Sequence, residues 1–170
     1  MTLIVEDGTG TLAAESYVST SAADTYHSNR GNTSWAALTA TNKEIALRKA
    51  TDYMVQAYRA KWKGYKVLST QALDWPRQYV YLTGNEIYQN VTALSITLIP
   101  NEIKNACCEL ALRSLTDTFL LIDTEQQIVK EVIGPISTEY QPFANKYKQY
   151  TAVTAMLKPY FKLAGSSVYR

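Results

Sequence analysis

The run from Thr41 to Arg59 constrains the fold most, because it carries both a helix start signal and an apolar face of helical period. Thr41-Asn42-Lys43-Glu44 has the form of a capping box, in which the threonine hydroxyl and the glutamate carboxylate each accept a backbone N–H of the first turn. Apolar residues then recur at three- and four-residue spacing: Leu47, Ala50, Tyr53 or Met54, and Ala57. The sequence therefore predicts an amphipathic helix over about 41–59 that buries one face.

Three further segments have helical patterns. The first begins at Ser19, a good N-cap, and stops at Gly31; a brief turn or helix around Trp35 follows it. Another begins at Pro100, which suits the first helical position. Its face contains Ile103, Ala106 or Cys107, Leu110 and Ser114. The last spans about 144–160, with tyrosines on one side.

Residues 128–142 read differently, because β-branched residues flank Gly134-Pro135 and favour a hairpin or extended arm. The expected fold is mainly α: a small bundle of about four helices with a short β-hairpin or extended arm and a C-terminal tail. Residues 1–162 are predicted to form one helical domain and residues 163–170 a docking tail.

Composition limits the class of protein. The chain is 46% hydrophobic and 19% charged, as is typical of soluble globular proteins. No apolar run approaches the roughly 18 residues of a membrane helix, and the N-terminus lacks the basic start of a signal peptide. The adjacent cysteines provide no disulfide framework, which favours synthesis in a reducing cytoplasm.

The net charge of +2 conceals a basic end: five Lys or Arg and no acid follow Tyr140. Such an end favours an acidic protein surface or nucleic acid as a partner, or forms a solvated helix face.

Little in the sequence indicates catalysis. His27 is the one histidine and is expected on a helix surface, with no serine placed beside it for a triad. One histidine and two adjacent cysteines cannot build a four-ligand zinc site, so Cys107 and Cys108 are expected to be small core residues. No phosphate-binding glycine loop is present. The prediction is a protein without enzymatic activity, metal or cofactor.

Nucleic-acid binding has more support. The segment 59–66 interleaves four cations, Arg59, Lys61, Lys63 and Lys66, with the rings of Trp62 and Tyr65. Single-strand binders combine a cationic groove with aromatic faces on which bases stack. Nearby, Trp75-Pro76-Arg77 is either a second stacking platform or a structural corner. The proline disfavours helical geometry at Trp75, which favours the corner, with Trp75 as a buried anchor and Arg77 pairing with an acid or lining an interface.

Several segments together resemble one family. They are LIVEDGTG, KEIALRKATDYM, QALDWPR, IPNEIKNACCELAL, GPISTEY and MLKPYF, and they cover nearly the whole chain except 79–98, which departs from the pattern. The chain resembles phage proteins labelled DnaT-like single-stranded-DNA-binding proteins, which are found among virion structural genes and are similar to head–tail connector (adaptor) proteins.

The resemblance implies a structural virion protein in the phage neck, made in the host cytoplasm. It would form a closed ring of about twelve copies beneath the portal and extend the DNA channel. Its partners would be the portal, further copies of itself, the next neck or tail completion protein and, non-specifically, packaged DNA, but no membrane. Portal docking would fall to Tyr160, Phe161, Leu163, Val168, Tyr169 and Arg170. The label implies the alternative of a single-stranded-DNA-binding protein. The small overall cationic excess disfavours this alternative, because nucleic-acid binders are typically more basic.

Overall fold

The computed structural model describes residues 2–82, 93–116, 120, 130–133, 136–139 and 150–162. The described chain is mainly helical, which confirms the predicted fold class. Its helices are α1 (Thr20–Ser28), α2 (Thr33–Ala36), α3 (Ala40–Tyr58), α4 (Asn101–Arg113) and α5 (Thr151–Leu157). Short 3-10 turns, Arg59–Lys61 and Lys158–Tyr160, follow α3 and α5. No helix of the described chain is long and apolar enough to cross a membrane.

The helix starts are set by local side-chain caps. Ser19 caps α1 as predicted, its hydroxyl accepting the Ala22 N–H at 3.2 Å. The predicted capping box at Thr41 is wrong, because Thr39 is the N-cap of α3 and accepts the Asn42 N–H at 3.3 Å. Glu44 instead pairs with Arg48 one turn later. Pro100 is also one residue off its predicted place, since it is the N-cap of α4 and Asn101 is the first helical residue.

The core forms where α3 packs against α4 and α4 against α5. Small residues on the facing sides, including Ala50, Ala106 and Cys107, are fully buried and let the α3 and α4 backbones approach closely. Cys107 Sγ lies 3.5 Å from the Thr51 hydroxyl, and both cysteines are free and buried. Burial raises the pKa of both thiols, so they behave as core residues, as predicted.

Two small antiparallel pairs complete the described elements. Strands β1 (Tyr65–Lys66) and β2 (Arg77–Gln78) pair with Tyr65 opposite Gln78. Strands β3 (Lys130–Ile133) and β4 (Ile136–Glu139) pair with Ile133 opposite Ile136. The second pair confirms the hairpin predicted around Gly134-Pro135. The described part of the last helix begins at Thr151, and the predicted turns at 144–149 and the tail at 163–170 lie outside the described residues.

An aromatic cluster joins the end of α3 to the C-terminal part of the described chain. Its members are Tyr58, Trp62, Trp75, Tyr160 and Phe161. Trp62 and Trp75 meet edge to face with centroids 5.8 Å apart, and Trp75 and Tyr160 do so at 5.6 Å. A β-bridge between Trp62 and Phe161 adds two backbone hydrogen bonds, from Lys63 N–H to the Tyr160 carbonyl and from Lys162 N–H to the Lys61 carbonyl. The cluster therefore fixes the backbone from which several lysines project.

Candidate nucleic-acid interface

One surface of the protein carries both exposed tyrosine rings and cations. We call it the basic tyrosine surface and define it by Arg59, Lys61, Lys63, Lys66, Lys162, Tyr65, Tyr79 and Tyr81. Pairing of β1 with β2 brings residues 65–66 beside 77–78, and the Trp62–Phe161 bridge places Lys162 beside Lys61. Lys63 Nζ donates to the Tyr81 carbonyl at 3.0 Å and so connects the two chain segments.

The close approach of these segments depends on Gly64. Its φ of 64° lies in the left-handed region, and a Cβ added there would stand 2.1 Å from the Gln78 carbonyl oxygen. No side chain fits at that distance. The glycine therefore allows β2 and Tyr79 to lie directly against the segment that carries Lys63 and Tyr65.

Arg77 stabilises the segment that carries Lys63 and Gly64 from its buried side. Its Nε donates to the Lys63 carbonyl at 2.7 Å, and its two Nη atoms donate to the carbonyls of Gly64 (2.6 Å) and Asp74 (3.1 Å). Burial lowers the pKa of the guanidinium. The predicted pairing of Arg77 with an acid is therefore replaced by bonds to backbone carbonyls, two on the segment just before β1 and one on its own corner.

The segment that carries Trp75 and Pro76 is a corner leading into β2, with a cis peptide bond between the two residues. Trp75 has an exposed fraction of 0% and packs in the aromatic cluster. Gln71 stabilises the corner, since its side-chain amide donates to the carbonyls of Leu73 (2.9 Å) and Pro76 (3.0 Å). A nucleic-acid base cannot reach Trp75, so this residue is no stacking platform.

Asp74 organises two of the four predicted DNA-facing cations. Its carboxylate is buried, with 1% of the side chain exposed, and Oδ1 accepts from Arg59 Nε at 3.0 Å. Lys66 Nζ lies 3.8 Å from the same oxygen and donates to the Gln71 carbonyl at 3.2 Å. The Arg59 side chain stays 55% exposed. These two cations are thus partly neutralised but still reach solvent.

Lys61 and Lys63 are placed differently. The ion pairs of the described residues do not include either lysine. Lys61 Nζ lies 5.3 Å from the centroid of the Tyr58 ring, a cation–π contact that leaves its positive charge uncompensated. Together with the exposed Lys162, which those ion pairs also omit, these two ammonium groups are the cations of the surface that no described carboxylate neutralises.

The exposed rings are only in part those expected from the sequence. Trp62, expected to interleave with the lysines as a stacking face, is 1% exposed and lies inside the aromatic cluster. The exposed fractions of Tyr65, Tyr79 and Tyr81 are instead 71%, 61% and 43%. Sequence reasoning identified Tyr65 but missed the other two, which fall in the stretch 79–98. The burial of Trp62 could have been found from the alternation of side-chain direction along 61–65. If Trp62 points inward, its neighbours Lys61 and Lys63 point outward.

The predicted portal-docking residues divide into two groups. Tyr160 is buried, and its hydroxyl donates to Glu102 at 2.7 Å; burial and this bond raise its pKa. Phe161 is half-buried against Tyr58 and Trp62. To dock on the portal, the Tyr160 side chain would have to leave the core. The burial of Tyr160 therefore does not support a portal-docking role. Leu163, Val168, Tyr169 and Arg170 lie outside the described residues.

His27 was expected on a helix surface, but the structure places it in the interior. Its ring packs 4.5 Å from Trp35, and Nδ1 lies 3.0 Å from the Asn32 side-chain nitrogen. Nε2 has no hydrogen-bond partner among the described residues, and burial lowers the pKa of the imidazole. Within the described ranges, no three His, Cys, Asp or Glu side chains are grouped to hold a metal.

Fold and surface together define a small, mainly helical protein with a cationic face that presents tyrosine rings. The model of the family described as "Putative DnaT-like ssDNA binding protein" matches residues 1–170, and the chain belongs to that family. The match includes residues 79–98, and with them Tyr79 and Tyr81. No curated protein and no solved structure matches the chain.

Proposed function

We propose that this protein binds single-stranded DNA, without sequence preference, through the basic tyrosine surface. The observation that carries the proposal is the presence of three exposed tyrosine rings on the paired segments that also carry Lys61 and Lys63, whose charges no described carboxylate neutralises. The family's description points to the same ligand.

The surface suits a single strand for a physical reason. Every base has an aromatic face, and stacking of one base on an aromatic side chain contributes about 1–3 kcal/mol with little dependence on sequence. Bases in a duplex are stacked on each other and present only their edges, so exposed rings favour unpaired bases. The lysines would contact the phosphates between those bases, which makes binding salt-dependent.

The small net charge of +2 does not oppose this function. Attraction depends on the local arrangement of charges, and the cations of this surface come from two distant parts of the chain. The acid that lies among them, Asp74, is buried and engaged by Arg59 and Lys66. The surface is therefore more cationic than the chain as a whole.

The lysines can be tested by the salt dependence of binding. We expect a Lys61→Gln/Lys63→Gln variant to lose affinity for a fluorescent oligothymidine in anisotropy titrations. Its slope of log affinity against log salt should fall by about 1.4, since each phosphate contact to a single strand contributes about 0.7. Lys43→Gln is the matched control, because Lys43 pairs with Asp24 at 2.9 Å, away from the surface. An unchanged slope in the double variant would remove the lysines from the interface.

The rings are tested separately. Tyr65→Ala should weaken binding about 5- to 150-fold, the equivalent of one lost stacking contact, whereas Tyr65→Phe should retain most of the affinity. With 71% of Tyr65 exposed, the alanine variant should fold normally, which circular dichroism would verify. Equal affinities for both variants and the parent would contradict a stacking role.

The head–tail adaptor role, with its ring, portal and tail partners and its place in the virion, stays a prediction from resemblance. The family's description names single-stranded-DNA binding alone. Native mass spectrometry with and without a cognate portal distinguishes the two roles. A closed ring that joins the portal would favour the adaptor, and a monomer or small oligomer that binds oligonucleotide would favour the function proposed above.

A further inference from the structure

A second concave region lies between α1 and α4, on residues that do not belong to the basic tyrosine surface. It is a groove of about 420 Å³, within the range of small-molecule sites. One wall is a face of α1 that includes Tyr26, with Asn29 and Arg30 just beyond the helix. The other is a face of α4 that includes Asn101, Lys104 and Asn105. Amide and cationic side chains thus line both sides.

The groove contains two positive charges without a described counter-charge. Neither Arg30 nor Lys104 belongs to an ion pair of the described residues. The Arg30 guanidinium carbon lies 3.6 Å from the centroid of the Tyr26 ring, and Nη1 donates to the Tyr26 carbonyl at 3.1 Å. Arg30 is therefore positioned by the protein, and no described carboxylate neutralises its charge.

The nearby acids are already engaged. Glu109 accepts the Tyr26 hydroxyl at 2.9 Å and pairs with Arg113 at 2.6 Å. Glu6, the acid among the groove's described lining residues, is buried. Its carboxylate accepts backbone N–H groups from Gly8 (3.0 Å), Gly10 (2.9 Å) and Thr11 (2.8 Å). A ligand in the groove would therefore meet a net positive charge.

We propose that this groove binds a nucleoside monophosphate unit. The phosphate would lie between Arg30 and Lys104, where charge-assisted bonds to guanidinium and ammonium are available. Lys104 and Asn101 are in the first turn of α4, whose helix dipole also favours an anion. The outer face of the Arg30 guanidinium would stack on the base, and the three asparagine amides would bond its polar edge. The unit is either a free nucleotide or the 5′ end of a DNA strand.

The test uses the full chain and a matched pair of variants. Calorimetric titration with deoxyadenosine monophosphate should show binding to the parent protein. It should weaken at least tenfold in Arg30→Gln/Lys104→Gln and remain unchanged in Lys43→Gln, since Lys43 pairs with Asp24 and does not line the groove. Inorganic phosphate should compete with the nucleotide. Absence of nucleotide binding by the parent, or equal binding by the Arg30→Gln/Lys104→Gln variant, would overturn the proposal.

Two oligonucleotides then separate the two sources of the ligand. If the groove holds a strand end, a 5′-phosphorylated oligothymidine should bind the parent more tightly than its unphosphorylated form, and Arg30→Gln/Lys104→Gln should abolish the difference. If the groove holds a free nucleotide, both oligonucleotides should bind alike and the monophosphate should still bind. Arg30→Gln/Lys104→Gln leaves the residues of the basic tyrosine surface intact, so failure of this proposal would not remove the function proposed above.

Discussion

Tyr79 offers the sharpest test of the surface, because its backbone and its side chain have opposite expected effects. Its φ of 58° lies in the left-handed region, which costs a residue with a Cβ about 1–2 kcal/mol relative to glycine. Its neighbour Val80 is fully buried, and Arg77 is bonded to the opposing segment, so the chain cannot relax at Tyr79 alone. The ring itself is 61% exposed.

Replacing Tyr79 by glycine removes the strain but adds backbone freedom to the unfolded chain, which costs about 0.5–1 kcal/mol. The two effects leave a change of about 0 to +1.5 kcal/mol in the free energy of unfolding, before a small loss from the partly buried ring. Binding should instead lose one stacking contact, about 1–3 kcal/mol or 5- to 150-fold in affinity. A variant that is as stable as its parent, or more so, should therefore bind DNA poorly.

The assay combines urea unfolding with anisotropy titration of oligothymidine. Tyr79→Asn should behave like the glycine variant, since asparagine tolerates the left-handed region, and Tyr79→Phe should keep the affinity of the parent. The reasoning would be refuted if Tyr79→Gly lost more than about 2 kcal/mol of stability while its affinity stayed the same. That result would make Tyr79 a structural residue.

Three further outcomes concern stability. Trp75→Ala should lower the free energy of unfolding by about 3–5 kcal/mol in urea denaturation, because the indole is fully buried; an unchanged midpoint would contradict the packing described above. Gly64→Ala should lower the melting temperature in calorimetry and weaken DNA binding, since its Cβ would stand 2.1 Å from the Gln78 carbonyl; a parent-like variant would disprove that close approach. Burial holds the pKa of His27 below its ordinary value of about 6.5, so the unfolded chain gains a proton first as pH falls. Unfolding free energy measured from pH 7 to pH 5 should therefore fall, by up to about 1.4 kcal/mol per unit, and His27→Gln should flatten this dependence.

The helices were predictable because their signals are local. Residues at three- and four-residue spacing define the buried faces of α3 and α4, and Ser19 caps α1 within three residues of its partner. The error at the start of α3 has the same origin. Thr39 and Thr41 are both suitable caps, and pattern alone does not select between them.

The candidate site was predictable only in part. Its lysines were identified from their clustering along the chain, but which rings are exposed depends on contacts between distant segments. Trp62 packs against Phe161, nearly a hundred positions later, and Arg77 bonds to the carbonyls of Lys63 and Gly64, thirteen or more positions earlier. The groove between α1 and α4 likewise joins residues about seventy positions apart, and no periodicity in the sequence connects them.

The burial of every tryptophan has a spectroscopic consequence. Trp35, Trp62 and Trp75 are all shielded from solvent, and each exposed aromatic ring of the described surface is a tyrosine. Emission excited selectively at the indoles should therefore follow unfolding and stay nearly constant when a ligand binds. Tyrosine emission should respond to a base that stacks on the surface. Tryptophan emission thus reports whether the core is folded, and tyrosine emission reports whether the basic tyrosine surface is occupied, without any attached dye.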